Sequence, residues 1–318
     1  RLDRKRDGRI LPLERVALFE QLRVFVMGIC NKFAGIVSPL IFAALILNVT
    51  DKELFATIES GTLDIVTKNA MLDELIQRVI VPYAVLGVIL LLTGIGIRYS
   101  ILPEINTDEE NSTEDTGSHH HTRKSIFDFP YLILGAVAIF LHVGTQVIAI
   151  DTIINYANSM GMDLLEAKTF PSYTLACTMI GYLLGILLIP KYVSQKNALI
   201  GCTIIGLLLS FGVVFADFEV TLFGHHANAS IFFLNALGFP NALIYAGIWP
   251  LSIHGLGKFT KTGSSLLIMG LCGNAILPLI YGHLADMYSL RFGYWVLIPC
   301  FLYLVFFAVK GHKIDSWK

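Results

Sequence analysis

"GSSLLIMGLCGNAILPLIYGHLAD", residues 263–286, is aliphatic for most of its length. A run of about 20 such residues crosses a ~30 Å hydrocarbon core as a helix. Yet an amide (Asn274), a proline (Pro278) and three glycines (Gly270, Gly273, Gly282) interrupt it. Polar groups and helix breakers are tolerated inside a membrane where they pack in a bundle or line a cavity. The stretch therefore predicts a cavity-lining helix. Asn274 is offered to a polar ligand, Gly273 permits close approach, and Pro278 bends the axis.

The rest of the chain agrees with a membrane setting. Of its 318 residues, 55% are hydrophobic and 15% charged, with a mean hydropathy of +0.67. A soluble domain of this size needs a more charged surface. Apolar runs at 24–48, 80–102, 127–155, 172–190, 198–216, 230–253, 263–284 and 292–310 predict an all-α polytopic protein of about eight transmembrane helices. With the N-terminus inside, the outside segments would hold only Lys52, Lys68, Arg78, Lys168 and Arg291 of the 23 basic residues, and Lys32 sits within a span. That bias puts both termini on the cytoplasmic side of the cell (inner) membrane.

Several polar stretches carry no evident chemistry. Residues 103–125, "PEINTDEENSTEDTGSHHHTRKS", read as an acidic, solvated cytoplasmic linker. Its consecutive His119, His120 and His121 cannot converge on one metal ion without a scaffold, so no metal or other cofactor is expected. The loop 49–79 has helical apolar spacing at Leu54, Ile58, Leu63, Ile65 and Leu72, which predicts a short surface helix. Cys30, Cys177, Cys202, Cys272 and Cys300 all lie in apolar spans and read as free buried thiols.

An internal echo suggests how the spans are organised. The first contains "VMGICNKFAGIVSPLIF" and the seventh "IMGLCGNAILPLIYG". Similar helices six spans apart fit a carrier built from two parallel six-helix halves, which makes the first span helix five of its half.

The order of "VMGICNKFAGIVSPLIFAALIL", "VPYAVLGVILLL", "HVGTQVIAIDTIINYA", "SYTLACTMIGYLLGILLIPKY" and the block Gly238–Asp286 resembles the fucose/glucose/galactose:proton symporter family of the major facilitator superfamily. The resemblance covers about residues 24–312 and corresponds to helices five to twelve of the family's twelve. It implies a basic cytoplasmic segment at 1–23, the last two helices of an N-terminal half at 24–102, the linker at 103–125, a six-helix C-terminal half at 126–312 and a tail at 313–318. Helices one to four, which hold the family's acidic residues for coupling and sugar binding, have no counterpart in the match. Asn31 matches the family's helix-five asparagine and Gln146 its helix-seven Gln or Glu, both sugar-facing. Tyr182 stands where the fucose permeases carry Arg, and Asp151 where they carry Ser.

Sugar recognition needs several hydrogen-bonding amides and an aromatic face in an otherwise apolar cavity. Asn31, Gln146, Asn241 and Asn274 are the candidate amides, with His142, one turn from Gln146, on the same face. Trp249 and Tyr245 are candidate platforms, Trp249 alternatively being an interfacial anchor. Asn235 reads better as an interhelical hydrogen bond. Lys32 and Asp151 are costly intramembrane charges. Each is a candidate for proton coupling, and they alternatively pair with one another, or Asp151 bonds Asn155. Gly181 and Gly185 predict close helix packing, and His283 with Asp286 a lock at a helix end.

These expectations amount to a sugar (hexose or deoxyhexose) transporter that couples to protons by alternating access. Its partners are the sugar, protons and the lipid bilayer, with no nucleic acid. An inactive or truncated carrier relative is one alternative. A polytopic enzyme acting on a lipid-linked substrate is another, although neither HExxH nor a DDxxD-type cluster occurs.

Overall fold

The structure, a computed structural model, describes residues 26, 28–31, 33–35, 37, 64–99, 125–189, 192–222 and 224–317. The basic segment 1–23, Lys32, most of the first span and the linker with His119, His120 and His121 lie outside the described residues. Contacts divide the chain into two units, Phe33–Ile105 and the combination of Arg1–Lys32 with Asn106–Lys318.

The first unit holds α1, Ile65–Arg98, a single helix of 34 residues. A surface helix separate from the following span was expected here. Instead the two are continuous, because no Gly or Pro interrupts residues 65–81 and the first breaker is Pro82.

The second unit contains the rest of the helices. They are α2 (Pro130–Asp151), α3 (Ile153–Ser159), α4 (Leu164–Ala167), α5 (Phe170–Leu188), α6 (Gln195–Phe215), α7 (Ala229–Ala236), α8 (Gly238–Ile253), α9 (Thr260–Met269), α10 (Gly273–Met287), α11 (Leu290–Gly293) and α12 (Leu297–Val309). Their starts follow local chemistry. Ser125 and Asp128 form a capping box just ahead of Pro130, the first residue of α2. Ser194 and Asn228 accept hydrogen bonds from the first-turn amides of α6 and α7.

Among the described residues seven segments are long and apolar enough to cross a membrane, namely Ile76–Arg98, Pro130–Asp151, Phe170–Leu188, Gln195–Phe215, Ala229–Ile253, Thr260–Met287 and Leu290–Lys313. They agree with the seven later apolar runs of the sequence, and the first run lies mostly outside the description. The span Thr260–Met287 is not uniform. A 3₁₀ turn at Gly270–Cys272 separates α9 from α10, and Pro278 lies inside α10. Tightened turns within a helix are common where it hinges or bends.

Helix α2 occupies the middle of this unit and packs against α8, α9, α10 and α12, while α8 also packs on α5 and α6, and α6 on α12. Phe129, Ile139, Tyr156, Phe170, Phe301 and Phe307 are among the fully buried side chains. Small residues let the backbones approach, as is usual when hydrophobicity cannot drive helices together in lipid. A Cβ on Gly181 would stand 2.5 Å from the Phe239 carbonyl oxygen, which bears out the packing expected of "GYLLG".

One element has no antecedent in the hydropathy pattern. β1 (Glu219–Leu222) and β2 (His225–Asn228) form an antiparallel hairpin between α6 and α7, pairing Glu219 with Asn228 and Leu222 with His225. Gly224 at its tip takes φ +85°, a conformation that favours glycine. His225 Nδ1 meets Glu166 Oε1 at 2.5 Å and its Nε2 meets Tyr173 Oη at 3.1 Å. Arg291 fastens the end of α6, donating to the Val214 and Ala216 carbonyls and to Asp217 Oδ1 (2.8 Å).

Two expectations are corrected. Cys30 and Cys272 are exposed, while Cys202 and Cys300 are buried; all five thiols are free. His283 and Asp286 are exposed and form no hydrogen bond among the described residues, so the helix-end lock is absent.

Candidate functional site

The site is defined by where four helices come level, and contacts between backbones fix that level. Tyr131 Oη donates to the His254 carbonyl (2.7 Å) and Gly135 faces Ser252, so α2 and α8 run antiparallel. Gln146 lies about three turns beyond Gly135, and Asn241 about three turns before Ser252. The two amides therefore sit at one depth.

α2 and α10 run parallel. A Cβ on Gly270 would stand 2.8 Å from the Ala136 carbonyl oxygen, one on Gly273 would overlap that of Phe140, and Gly144 faces Leu277. The close approach expected at Gly273 is thus a backbone-to-backbone contact. It brings Asn274, in the first turn of α10, level with the stretch Phe140–Gly144 and hence with His142.

α5 and α8 are also parallel. Thr174 Oγ1 donates to Asn235 Oδ1 at 2.9 Å, Gly238 rests on the Thr174 carbonyl, and Gly181 on Phe239 and Ala242. Asn235 is thereby the interhelical bond its sequence setting suggested. Tyr182, next to Gly181, comes level with Asn241. It lies within electrostatic reach of Tyr245, one turn along α8 from Asn241. A Cβ on Gly28 would stand 2.6 Å from Tyr182 Cε1, so the helical residues around Asn31 approach at the same place.

The sequence-derived candidates fall as follows. His142 is buried, and its carbonyl accepts from Thr145 Oγ1 at 2.8 Å. Gln146 is half-buried, and Asn31 and Asn274 are exposed. Asn241 is 2% exposed, and its Oδ1 has no hydrogen-bond partner among the described residues. Trp249 is partly buried, with its ring 5.9 Å from that of Tyr245 and tilted by 32°. Asp151, the last residue of α2, is exposed and makes no hydrogen bond or ion pair among the described residues, so the bond to Asn155 does not form. Lys32 is outside the description. No group of His, Cys, Asp and Glu suited to a metal ion occurs among the described residues.

Sequence reasoning singled out Tyr182 only as a departure from a family pattern. Its place beside α8 was signalled by the adjoining Gly181, which presses α5 onto α8. A second cluster, absent from the sequence reading, lies at the Asp151 end of the bundle. Thr152 Oγ1 and Tyr294 Oη are 2.8 Å apart, Tyr156 Oη and Ser230 Oγ 2.8 Å, and the Tyr156 and Tyr281 rings each lie 4.9 Å from that of Tyr294. Burial pushes the Tyr156 phenol above its ordinary range, partly offset by the Ser230 hydrogen bond. This cluster ties α3, α7, α10 and the start of the last span together.

No family model matches the chain. A glucose/galactose transporter of Brucella abortus is 28% identical over 237 residues, 73% of this chain and 53% of the relative. A putative glucose/galactose transporter of Helicobacter pylori is 27% identical over 275 residues, 83% and 61% of the two chains. The L-fucose-proton symporter of Escherichia coli is 26% identical over 220 residues, 69% and 48%. Over most of its length the chain is similar in sequence to these bacterial sugar transporters. It spans about half the length of the relatives it matches. A crystal structure of the E. coli fucose:proton symporter FucP and one of the transporter FucP in the outward conformation share its fold with TM-scores of 0.63 and 0.65. Each covers 94% of this chain, and 70% and 69% of the respective FucP chains are matched, at 20% identity.

Proposed function

We propose that this chain acts in a proton-coupled carrier for a hexose or deoxyhexose, working by alternating access, and not as an enzyme. The observation that supports this most directly is the meeting of α2, α5, α8 and α10 at one depth. Within about a turn of that depth Gln146, Asn241 and Asn274 supply amides, His142 an imidazole, and Tyr182 and Tyr245 aromatic surface, with Asn31 approaching beside Tyr182 and Trp249 about two turns further along α8. Amides both donate and accept, so they replace the water around sugar hydroxyls, while an aromatic ring covers the apolar face of the pyranose. The relatives' names point the same way.

In this reading two half-bundles rock about the site, which opens to one side of the membrane and then to the other. Asp151 is the candidate coupling acid in this chain, about one and a half turns from Gln146 along α2. It takes a proton when the site faces the proton-rich side and releases it on the other. Lys32 is the second candidate, as a charge that responds to Asp151. The Lys and Arg asymmetry supports cytoplasmic termini in the cell (inner) membrane.

Counterflow of labelled glucose, galactose and fucose in liposomes containing the complete carrier tests the proposal. Exchange of at least one sugar, competed by its unlabelled form, is expected. No exchange of any of them would overturn it.

A further inference from the structure

Among the described residues, several polar groups buried in this bundle are matched by protein partners. Asn235 has Thr174, Ser252 has the Ile248 carbonyl, and Ser230 has Tyr156. Asn241 Oδ1 has none among the described residues, although the side chain is 2% exposed and its sequence neighbours Pro240, Ala242, Leu243 and Ile244 are all buried. A buried acceptor without a donor carries a desolvation penalty that folding does not recover. In a packed helical span such a group marks a place where a ligand can meet it. The geometry specifies what that is. Oδ1 accepts only, so its partner must present an O–H or N–H. The atom sits level with Gln146 and one turn from Tyr245, within the polar layer described above.

We propose that Asn241 sets the substrate specificity of this carrier, its Oδ1 accepting a hydrogen bond from one particular hydroxyl of the sugar. The proposal rests on the sugar-carrier reading and adds a chemical requirement to it. The sugar must donate at one ring position, so an analogue that has lost that hydroxyl leaves Oδ1 buried and unpaired in the complex. A site built to bond a hydroxyl discriminates against the analogue lacking it far better than an apolar pocket discriminates by size.

The test is competition for binding of the labelled sugar to the complete carrier. The competitors are analogues of that sugar in which each hydroxyl in turn is replaced by hydrogen or by fluorine. Fluorine cannot donate. One position is expected at which both replacements weaken binding about tenfold or more in the unmodified protein. Asn241→Leu, similar in size, is expected to bind the parent sugar about tenfold more weakly and to show no further loss at that one position. Asn241→Asp keeps an acceptor in place and is expected to keep the preference, which separates the loss of an acceptor from a folding defect.

A carrier that binds sugar but tolerates both replacements at every position would overturn the proposal and leave the carrier reading standing. So would fluorine serving as well as hydroxyl at the position where hydrogen does not, since the amide would then be donating. Retention of the full loss in Asn241→Leu would also overturn it. Failure of the unmodified carrier to bind any monosaccharide would sink both readings together.

Discussion

Gly273 lies so close to Phe140 that a side chain at 273 would overlap the Phe140 carbonyl oxygen. Two helix backbones touch there, at the level where Asn274 begins α10. Replacing Gly273 with Ala forces α2 and α10 apart, at an expected cost of about 1–3 kcal/mol. Gly282, on the same helix, has nothing within 4 Å of an added Cβ. Gly282→Ala is expected to be neutral or stabilising by roughly 0.5–1 kcal/mol. Thermal unfolding of the two variants in detergent checks the contrast, and equal losses would contradict the packing.

The Thr174–Asn235 bond joins α5 to α7 at the side of the bundle. In a double-mutant cycle with Thr174→Val and Asn235→Leu, the coupling energy is expected to be about 0.6–2 kcal/mol. Additive losses would mean that the bond contributes nothing to stability.

Gln146 tests the amide layer independently of Asn241. Gln146→Ala in the complete carrier is expected to weaken sugar binding by about 1–3 kcal/mol, since a sugar hydroxyl loses its partner. Equilibrium binding measures this directly. Undiminished affinity would remove Gln146 from the site.

Asp151→Asn keeps the shape of the side chain and removes its titration. If Asp151 carries the coupled proton, the variant still exchanges sugar across the membrane but no longer accumulates it on a pH gradient. Gradient-driven uptake at the original level would leave Asp151 without a part in coupling.

At the hairpin end, hydrogen bonds from Arg291 and then from Asn228 hold the Asp217 carboxyl below its ordinary value of 3.8. A depressed carboxylate pKa contributes stability above the unfolded value, and the contribution is lost as pH falls through the folded value. The link between Asp217 and Arg291 is therefore expected to persist at neutral pH and to release in acid below the usual carboxylate range. Carboxyl carbon shifts followed by NMR give the titration, and Arg291→Gln is expected to move it upward. An Asp217 titration unchanged by that substitution would refute the assignment.

The spans were legible in the sequence because hydropathy is a property of each helix taken alone. The close approaches at Gly181 and Gly273 were legible as well, since a glycine within an apolar run has little other use. What periodicity could not provide was register. That Gln146 and Asn241 share a depth depends on Tyr131 reaching the His254 carbonyl, a contact between residues far apart in the chain. Tyr182 was legible as a substitution within a family pattern, but not as the neighbour of Gly28. The continuity of Ile65–Arg98 was obscured by polar residues such as Asp73, Glu74 and Arg78. These lower local hydropathy without breaking a helix.

The hairpin at Glu219–Asn228 has a practical consequence. Helices enclosed in a detergent or lipid belt offer few features by which particles can be oriented in electron micrographs. This ribbon is braced on one side by Glu166 and Tyr173 through His225, and on the other by Arg291 through Asp217 and Asn228. Glu219, Thr221 and His226 remain exposed along it. An antibody fragment raised against those side chains would hold a firm attachment, and its mass would serve as the landmark for aligning images of the protein.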